Sequence, residues 1–114
     1  MPQDELVTDQ WEAGPLGRSV SHEEHVRIAR VLLRRHGRHE ATRRLLHRTR
    51  ANCEAMGVPE RFDQDLTRRW TERIADAMDD EDAETFEDFI QLHPELLRGD
   101  LLGLPGWVER ESEN

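Results

Sequence analysis

The apolar residues of this chain recur at the spacing of helix turns, and glycine, proline and polar residues separate the segments in which they do so. Ser21 is followed three residues later by Glu24, which is the capping box that begins many helices. We predict a helix from there to His36, ended by Gly37. The residues that form its inward stripe are Val26, Ala29 and Leu33, widened by Ile28 and Leu32. The arginines expected mainly on its outer side are Arg27, Arg30, Arg34 and Arg35.

Three further helices follow with the same period. The second is predicted over 39–56, and Gly57 ends it. Its inner face carries Ala41, Leu45, Thr49, Asn52 and Met56. The third begins near Pro59 or Arg61 and ends near Met78, with Asp63 and Thr67 beside its apolar stripe. That stripe consists of Phe62, Leu66, Trp70, Ile74 and either Ala77 or Met78.

The acidic run 79–82 is expected either to form an exposed turn or to begin the fourth helix. The fourth helix carries Phe86, Phe89, Ile90 and His93, and Pro94 ends it. Short helical turns are predicted at Leu96–Leu97 and Leu101–Leu104, with Trp107 as a last anchor. The sequence therefore predicts an all-α fold, a small single-domain bundle of four main helices with short C-terminal helical turns. We expect residues 1–20 to be a flexible arm pinned by Trp11 and Leu16, residues 21–108 to form the bundle, and residues 109–114 to be a disordered tail.

Charge is distributed unevenly along the 114 residues, whose net charge is −9. Between residues 26 and 50 there are nine arginines and a single acid, Glu40, whereas both flanking segments are acidic. One interpretation is a basic helical pair that packs against acidic segments, so that the charges neutralise each other. The other is a surface for phosphate or nucleic acid. The overall negative charge argues against the second interpretation, because it repels a polyanion. We therefore expect no nucleic-acid partner.

Cysteine usage and hydropathy indicate the compartment. The chain has one cysteine, Cys53, which excludes an internal disulfide framework and favours the cytoplasm. No apolar run approaches the roughly 20 residues that cross a bilayer, and the N-terminus is polar and acidic, unlike a secretory signal. We expect no membrane partner. All 16 basic residues are arginine, which suggests a GC-rich bacterial genome.

His22 and His25 are the candidates for chemistry that stand out most clearly in the sequence. Residues three apart on a helix are neighbours, so both imidazoles could bind one ion, with Asp63 as the third ligand. Two histidines and a carboxylate suit non-haem Fe(II) or catalytic zinc. The alternative is that His22 caps the helix or faces water while His25 bonds a neighbouring carboxylate. For Asp63 the alternative is a carboxylate that stabilises a helix N-terminus.

Asn52 is an amide on an apolar stripe, which costs free energy unless its hydrogen bonds are made. It could orient a substrate or, more simply, hold a loop. Thr67 is expected beside it as a second polar contact, with Phe62 and Trp70 as walls of a cavity. There is no P-loop, no Rossmann glycine pattern and no nucleophile elbow, so no nucleotide or flavin cofactor is expected.

The chain also resembles a group of small bacterial helical proteins, most of which have no assigned role. Their pattern has an early His-x-x-His, an Arg-x-Asn segment, a Tyr-His-Glu before an aromatic helix, and a late His-Pro-x-Leu-Leu. The matching stretches here are 21–29, 50–52 with Gly57, 62–67 with Trp70, and His93–Pro94 with 95–97. The resemblance implies a metal pocket, in which Asp63 replaces the histidine of the group's third segment.

Together these observations predict a small metal-binding enzyme that acts on a small organic molecule, such as a biosynthetic tailoring step. His22, His25 and Asp63 would bind a divalent iron or zinc ion, and His25 and Asp63 would be catalytic. A metal-free acid–base catalyst using His25 and Asp63 would share that pocket. The alternative function is a non-catalytic interaction module without metal, acting as a homodimer or with a partner protein.

Overall fold

A computed structural model describes residues 3–98, and all regular structure in that range is helical. The elements are α1 (Gln3–Ala13), α2 (His22–Ala55), α3 (Gln64–Asp80) and α4 (Phe86–Leu92), with 3-10 turns at Pro59–Arg61 and Pro94–Leu97. The prediction of a small all-α bundle is confirmed. In this part of the chain, none of the helices combines the length and the apolar character that spanning a membrane requires.

Polar caps fix where three of the helices begin. The Ser21 side chain accepts a hydrogen bond from the Glu24 amide, and the Glu24 carboxylate accepts one from the Ser21 amide, so the predicted capping box is present. The side chains of Asp63 and Thr85 likewise accept a hydrogen bond from a backbone amide in the first turn of α3 and of α4. Each cap satisfies an amide that would otherwise lack a partner in the first helical turn.

Helix α2 is bent at Gly37, where φ is 82° and ψ is 173°. A straight helix of 34 residues would be about 51 Å long, whereas the molecule extends only 37 Å along its longest principal axis. Asn52, near the end of α2, bonds to Gly17, just before its start. The halves 22–36 and 38–55 therefore fold back beside each other. The helix end that the sequence predicts at Gly37 is confirmed.

The core lies where these two halves meet α3, α4 and the last 3-10 turn. Its largest fully buried side chains include Trp11, Ile28, Leu32, Leu45, Trp70, Ile74, Phe89 and Leu96. The apolar stripes predicted from the sequence are the faces that these helices bury. Each large side chain stabilises the fold by about 1.5–3 kcal/mol relative to an exposed position.

The N-terminal segment differs from the expected arm. Residues 3–13 form α1, whose Trp11 side chain is only 1% exposed, while Leu16 packs against the core from the following loop. Only Thr8 and Trp11 of α1 are buried, so it has no continuous apolar stripe. The buried Trp11 and long-range ion pairs to α2 hold the helix, and a search for apolar periodicity does not detect the ion pairs.

The arginines of α2 are neutralised within the molecule. Eight of the nine between residues 26 and 50 pair with carboxylates. The ninth, Arg48, donates to the backbone carbonyls of Trp11 and Glu12. The first of the two interpretations of the charge pattern is therefore confirmed.

Two boundaries at the C-terminal side need correction or lie outside the structure. Asp79 and Asp80 end α3, and α4 begins only at Phe86, because Thr85 is its cap. The acidic run therefore does not begin the fourth helix. The helical turn predicted at Leu96–Leu97 is confirmed as part of the 3-10 turn Pro94–Leu97. The predicted turn at 101–104, the Trp107 anchor, the bundle boundary at 108 and the tail 109–114 all lie outside the described residues.

Replacing Gly37 by alanine is expected to destabilise the fold by about 1–3 kcal/mol, because an L side chain rarely adopts this backbone conformation. A Cβ atom at residue 37 would meet no atom within 4 Å, so the penalty is purely conformational. Gly14→Ala is the matched control, since Gly14 does not have a positive φ. Urea denaturation measures both variants, and equal stabilities for the two would contradict this role of Gly37.

Candidate functional site

His22 connects the first turn of α2 to two other elements. Its Nε2 atom lies 2.9 Å from the backbone carbonyl oxygen of Leu96, to which it donates a hydrogen bond. Its ring meets the Trp70 ring edge-on, with 4.5 Å between the ring centroids. The imidazole therefore joins α2 to α3 and to the Pro94–Leu97 turn. The two alternatives considered for His22 were a helix cap and a side chain that faces water, and neither describes this contact.

His25 lies one turn further along α2 and is buried, with 4% of its surface exposed. Burial, together with the smaller effect of the nearby His22 ring, lowers the pKa of its imidazole to about 3, against an opposite effect of Glu24. The His25 ring is therefore neutral at physiological pH. A neutral imidazole in a core is compatible with packing as well as with chemistry.

Asp63 and Thr67 both serve the beginning of α3. The Asp63 carboxylate accepts a hydrogen bond from the Leu66 amide at 2.9 Å. The Thr67 hydroxyl donates to the Asp63 backbone carbonyl, also at 2.9 Å. The alternative that the sequence left open for Asp63, a carboxylate at a helix N-terminus, is confirmed. Phe62, just before the cap, is half-buried, while Trp70 is completely buried.

Asn52 holds the loop between α1 and α2. Its Oδ1 atom accepts a hydrogen bond from the Gly17 amide at 2.9 Å, and its Nδ2 atom donates to the Arg18 carbonyl at 2.9 Å. These bonds satisfy both ends of a buried amide. Of the two roles considered for Asn52, holding a loop is the one that the structure shows.

These contacts do not assemble the predicted metal ligands. Among residues 3–98, no three side chains of His, Cys, Asp or Glu lie together in a way that could hold an ion. His22 is directed to a backbone carbonyl, and Asp63 to the first turn of its own helix. Within residues 3–98 the structure therefore gives no support to the set His22, His25 and Asp63 as ligands of a divalent metal, and the set stays a prediction.

A solvent-open groove elsewhere on the surface has the dimensions of a binding site. It has a volume of about 1040 Å³ and lies between α1, the first half of α2 and the start of α4. Among its lining residues are Leu6, Val7, Arg27, Arg30, Val31 and Phe86. Three separate elements therefore form one concave surface.

Two arginines of α2 are fixed at the side of this groove by the aromatic rings of α4. The Arg27 guanidinium lies 4.1 Å from the centre of the Phe86 ring, and that of Arg30 lies 5.2 Å from the centre of the Phe89 ring. Arg30 is buried and pairs with Asp82 at 3.2 Å, and it also donates to the Ala83 carbonyl. The prediction that Arg30 lies outside is wrong, because these partners compensate its burial.

The sequence contained a signal for this arrangement. Arg27 and Arg30 are three residues apart on one helix, and Phe86 and Phe89 are three residues apart on another. Residues at that spacing share a helix face, so two cations and two rings can face each other in register. A search for metal ligands and catalytic motifs overlooks such a pattern.

Comparison of the chain with protein-family models, curated proteins and solved structures finds no match. The resemblance to small bacterial helical proteins therefore stays a prediction.

The pH dependence of stability is expected to reveal the buried His25. Its folded-state pKa of about 3 lies below the unfolded value of 6.5. The unfolded chain alone therefore takes up this proton between these two pH values. The resulting stabilisation is complete above pH 6.5 and is lost as the pH falls toward 3.

Between these two pH values, His25 should make the free energy of unfolding rise by about 1.4 kcal/mol per pH unit. We expect the variant His25→Gln to lack this contribution. The control variant His39→Gln changes an exposed imidazole and should keep the wild-type slope. Chemical denaturation at a series of pH values measures the difference. If the free energy of unfolding changes with pH equally in both variants, His25 takes up its proton in the folded state as well, which contradicts the lowered pKa.

Proposed function

We propose that this protein is a non-catalytic binding module that receives a segment of a partner protein in the groove between α1, α2 and α4. The observation that carries the proposal is the groove itself, about 1040 Å³ in volume and formed by three elements. The polar residues expected to perform chemistry support it indirectly, since His22, Asn52 and Asp63 all bond within the fold. We further propose that the module acts in the cytoplasm, as a chain with one cysteine suggests.

The groove has the composition of a protein interface. Val31 and Phe86 are buried beside it, while Leu6 at its edge is 48% exposed. Charged side chains surround these apolar ones, and arginine and aromatic residues are enriched at protein interfaces in general. Arg27 is already fixed by Asp4, at 2.8 Å, and by the Phe86 ring. A partner therefore loses little free energy in ordering that side chain.

Two carboxylates at the groove favour a basic partner segment, because the arginines that line it already pair with acids of the fold. Glu5 on the α1 wall and Glu84 before α4 are exposed, and within residues 3–98 neither carboxylate forms an ion pair. The net charge of −9 attracts a cation over longer distances. We therefore propose as occupant a peptide segment with an apolar side chain between lysines or arginines, the apolar group meeting Leu6 and the cations meeting Glu5 and Glu84.

Short peptides with one leucine between basic residues are expected to bind the wild-type chain better than the same peptides with acidic residues. Leu6→Arg should weaken their binding at least about tenfold, because it removes the apolar contact and adds a repelling charge. Leu92→Arg is the matched control, since Leu92 is similarly exposed, at 42%, and does not line the groove. A peptide array followed by fluorescence anisotropy measures both, and equal losses in the two variants would refute the groove as the binding surface.

Elemental analysis separates this proposal from the metal-dependent enzyme. Protein purified without a histidine tag is expected to carry no stoichiometric divalent metal, and a chelator should leave its melting temperature unchanged. One iron or zinc ion per chain that is lost in His25→Ala, but retained in the surface variant His39→Ala, would contradict the binding module. It would favour the set His22, His25 and Asp63.

A further inference from the structure

Helix α1 packs on α2 through one buried aromatic side chain, Trp11, and through a row of ion pairs. We propose that the face of α2 beneath it is a receptor for acidic amphipathic helices with one aromatic anchor. Helix α1 occupies that face by default, and an acidic helix of a partner protein displaces it. This inference is separate from the proposed function, because the face exists whether or not the groove binds a basic segment.

Charge complementarity is the first support. Helix α1 contains four acids (Asp4, Glu5, Asp9 and Glu12) and no basic residue. Three of them meet arginines of α2. Asp4 lies 2.8 Å from Arg27, Asp9 lies 2.8 Å from Arg35, and Glu12 lies 2.7 Å from Arg44. These arginines span both halves of α2, so the face selects a helix with acids along its whole length.

Recognition of the helix end is the second support. Arg48 donates to the carbonyl oxygens of Trp11 and Glu12, at 3.3 and 2.8 Å. The last carbonyls of any helix lack partners within the helix. Arg48 therefore recognises a helix C-terminus through the backbone, whatever its sequence. Trp11, only 1% exposed, is the sole aromatic anchor of α1.

The third support is that α1 is short and makes its main contacts with α2 alone. It has 11 residues, fewer than the roughly 12–15 at which isolated helices become marginally stable. Its ion pairs are partly exposed, with 30% and 46% exposure of the Arg35 and Asp9 side chains, so salt screens them. Asn52 holds Gly17 and Arg18, so the start of α2 stays in place while α1 detaches.

A fluorescent peptide with the sequence of residues 3–13 tests the receptor face on the full chain. The variant Trp11→Ala loosens the chain's own α1, so it should bind the peptide at least about tenfold more tightly than the wild type does. Binding should weaken as salt concentration rises. A control peptide with amides in place of the four carboxylates should bind at least about tenfold more weakly.

The double variant Asp9→Asn with Glu12→Gln provides a second test, because it loosens α1 through charge and keeps the buried Trp11. Circular dichroism establishes that each variant retains the other helices. Equal peptide affinities for the wild type and both folded variants would overturn the proposal, as would equal binding of the amide peptide. The assay with basic peptides at the groove is independent, so its failure leaves this test intact.

Discussion

The pairing of α2's arginines with carboxylates of the surrounding elements is the interaction on which the arrangement of this molecule depends. Arg35 and Arg44 hold α1, Arg38 meets Asp76 and Asp79 of α3, and Arg30 fixes the segment before α4. Hydrophobic residues are only 35% of the chain, so the apolar core alone does not define how the outer helices are oriented on α2. A single exposed ion pair contributes little to the stability of the fold. A network that includes a buried arginine stacked on an aromatic ring defines the orientation of the helices that it joins.

A second set of polar contacts closes the end of the bundle at which α2 begins. His22 bonds the Leu96 carbonyl, and Asn52 bonds the loop that enters α2. Both are buried or half-buried polar groups whose hydrogen bonds must be made within the fold. Such residues stand out in a sequence because they place polar atoms on an apolar helix face. Residues that connect elements of a fold and residues of active sites share this feature. In this chain, the bonds identified for these two residues are connections within the fold.

Local signals predicted most of the fold. The capping box at Ser21, the glycine at residue 37 and the apolar stripes of α2 and α3 each act over a few residues, and all appear in the structure. Helix α1 is not predicted, because it has no continuous apolar stripe and its ion-pair partners are arginines more than 20 positions away. The site could be predicted less well. The partner of His22 is a backbone carbonyl 74 residues away in the sequence, and no pattern of side chains predicts that contact.

The reversal at Gly37 has a consequence for how the chain acquires its structure. It makes residues 22–55 a helical hairpin, so that contacts between the two halves join segments close in sequence. Contacts of that kind close short loops and form rapidly, in contrast to pairings that span the whole chain. During synthesis residues 22–55 leave the ribosome before α3 and α4 do, so a hairpin formed at that stage offers them a surface on which to assemble.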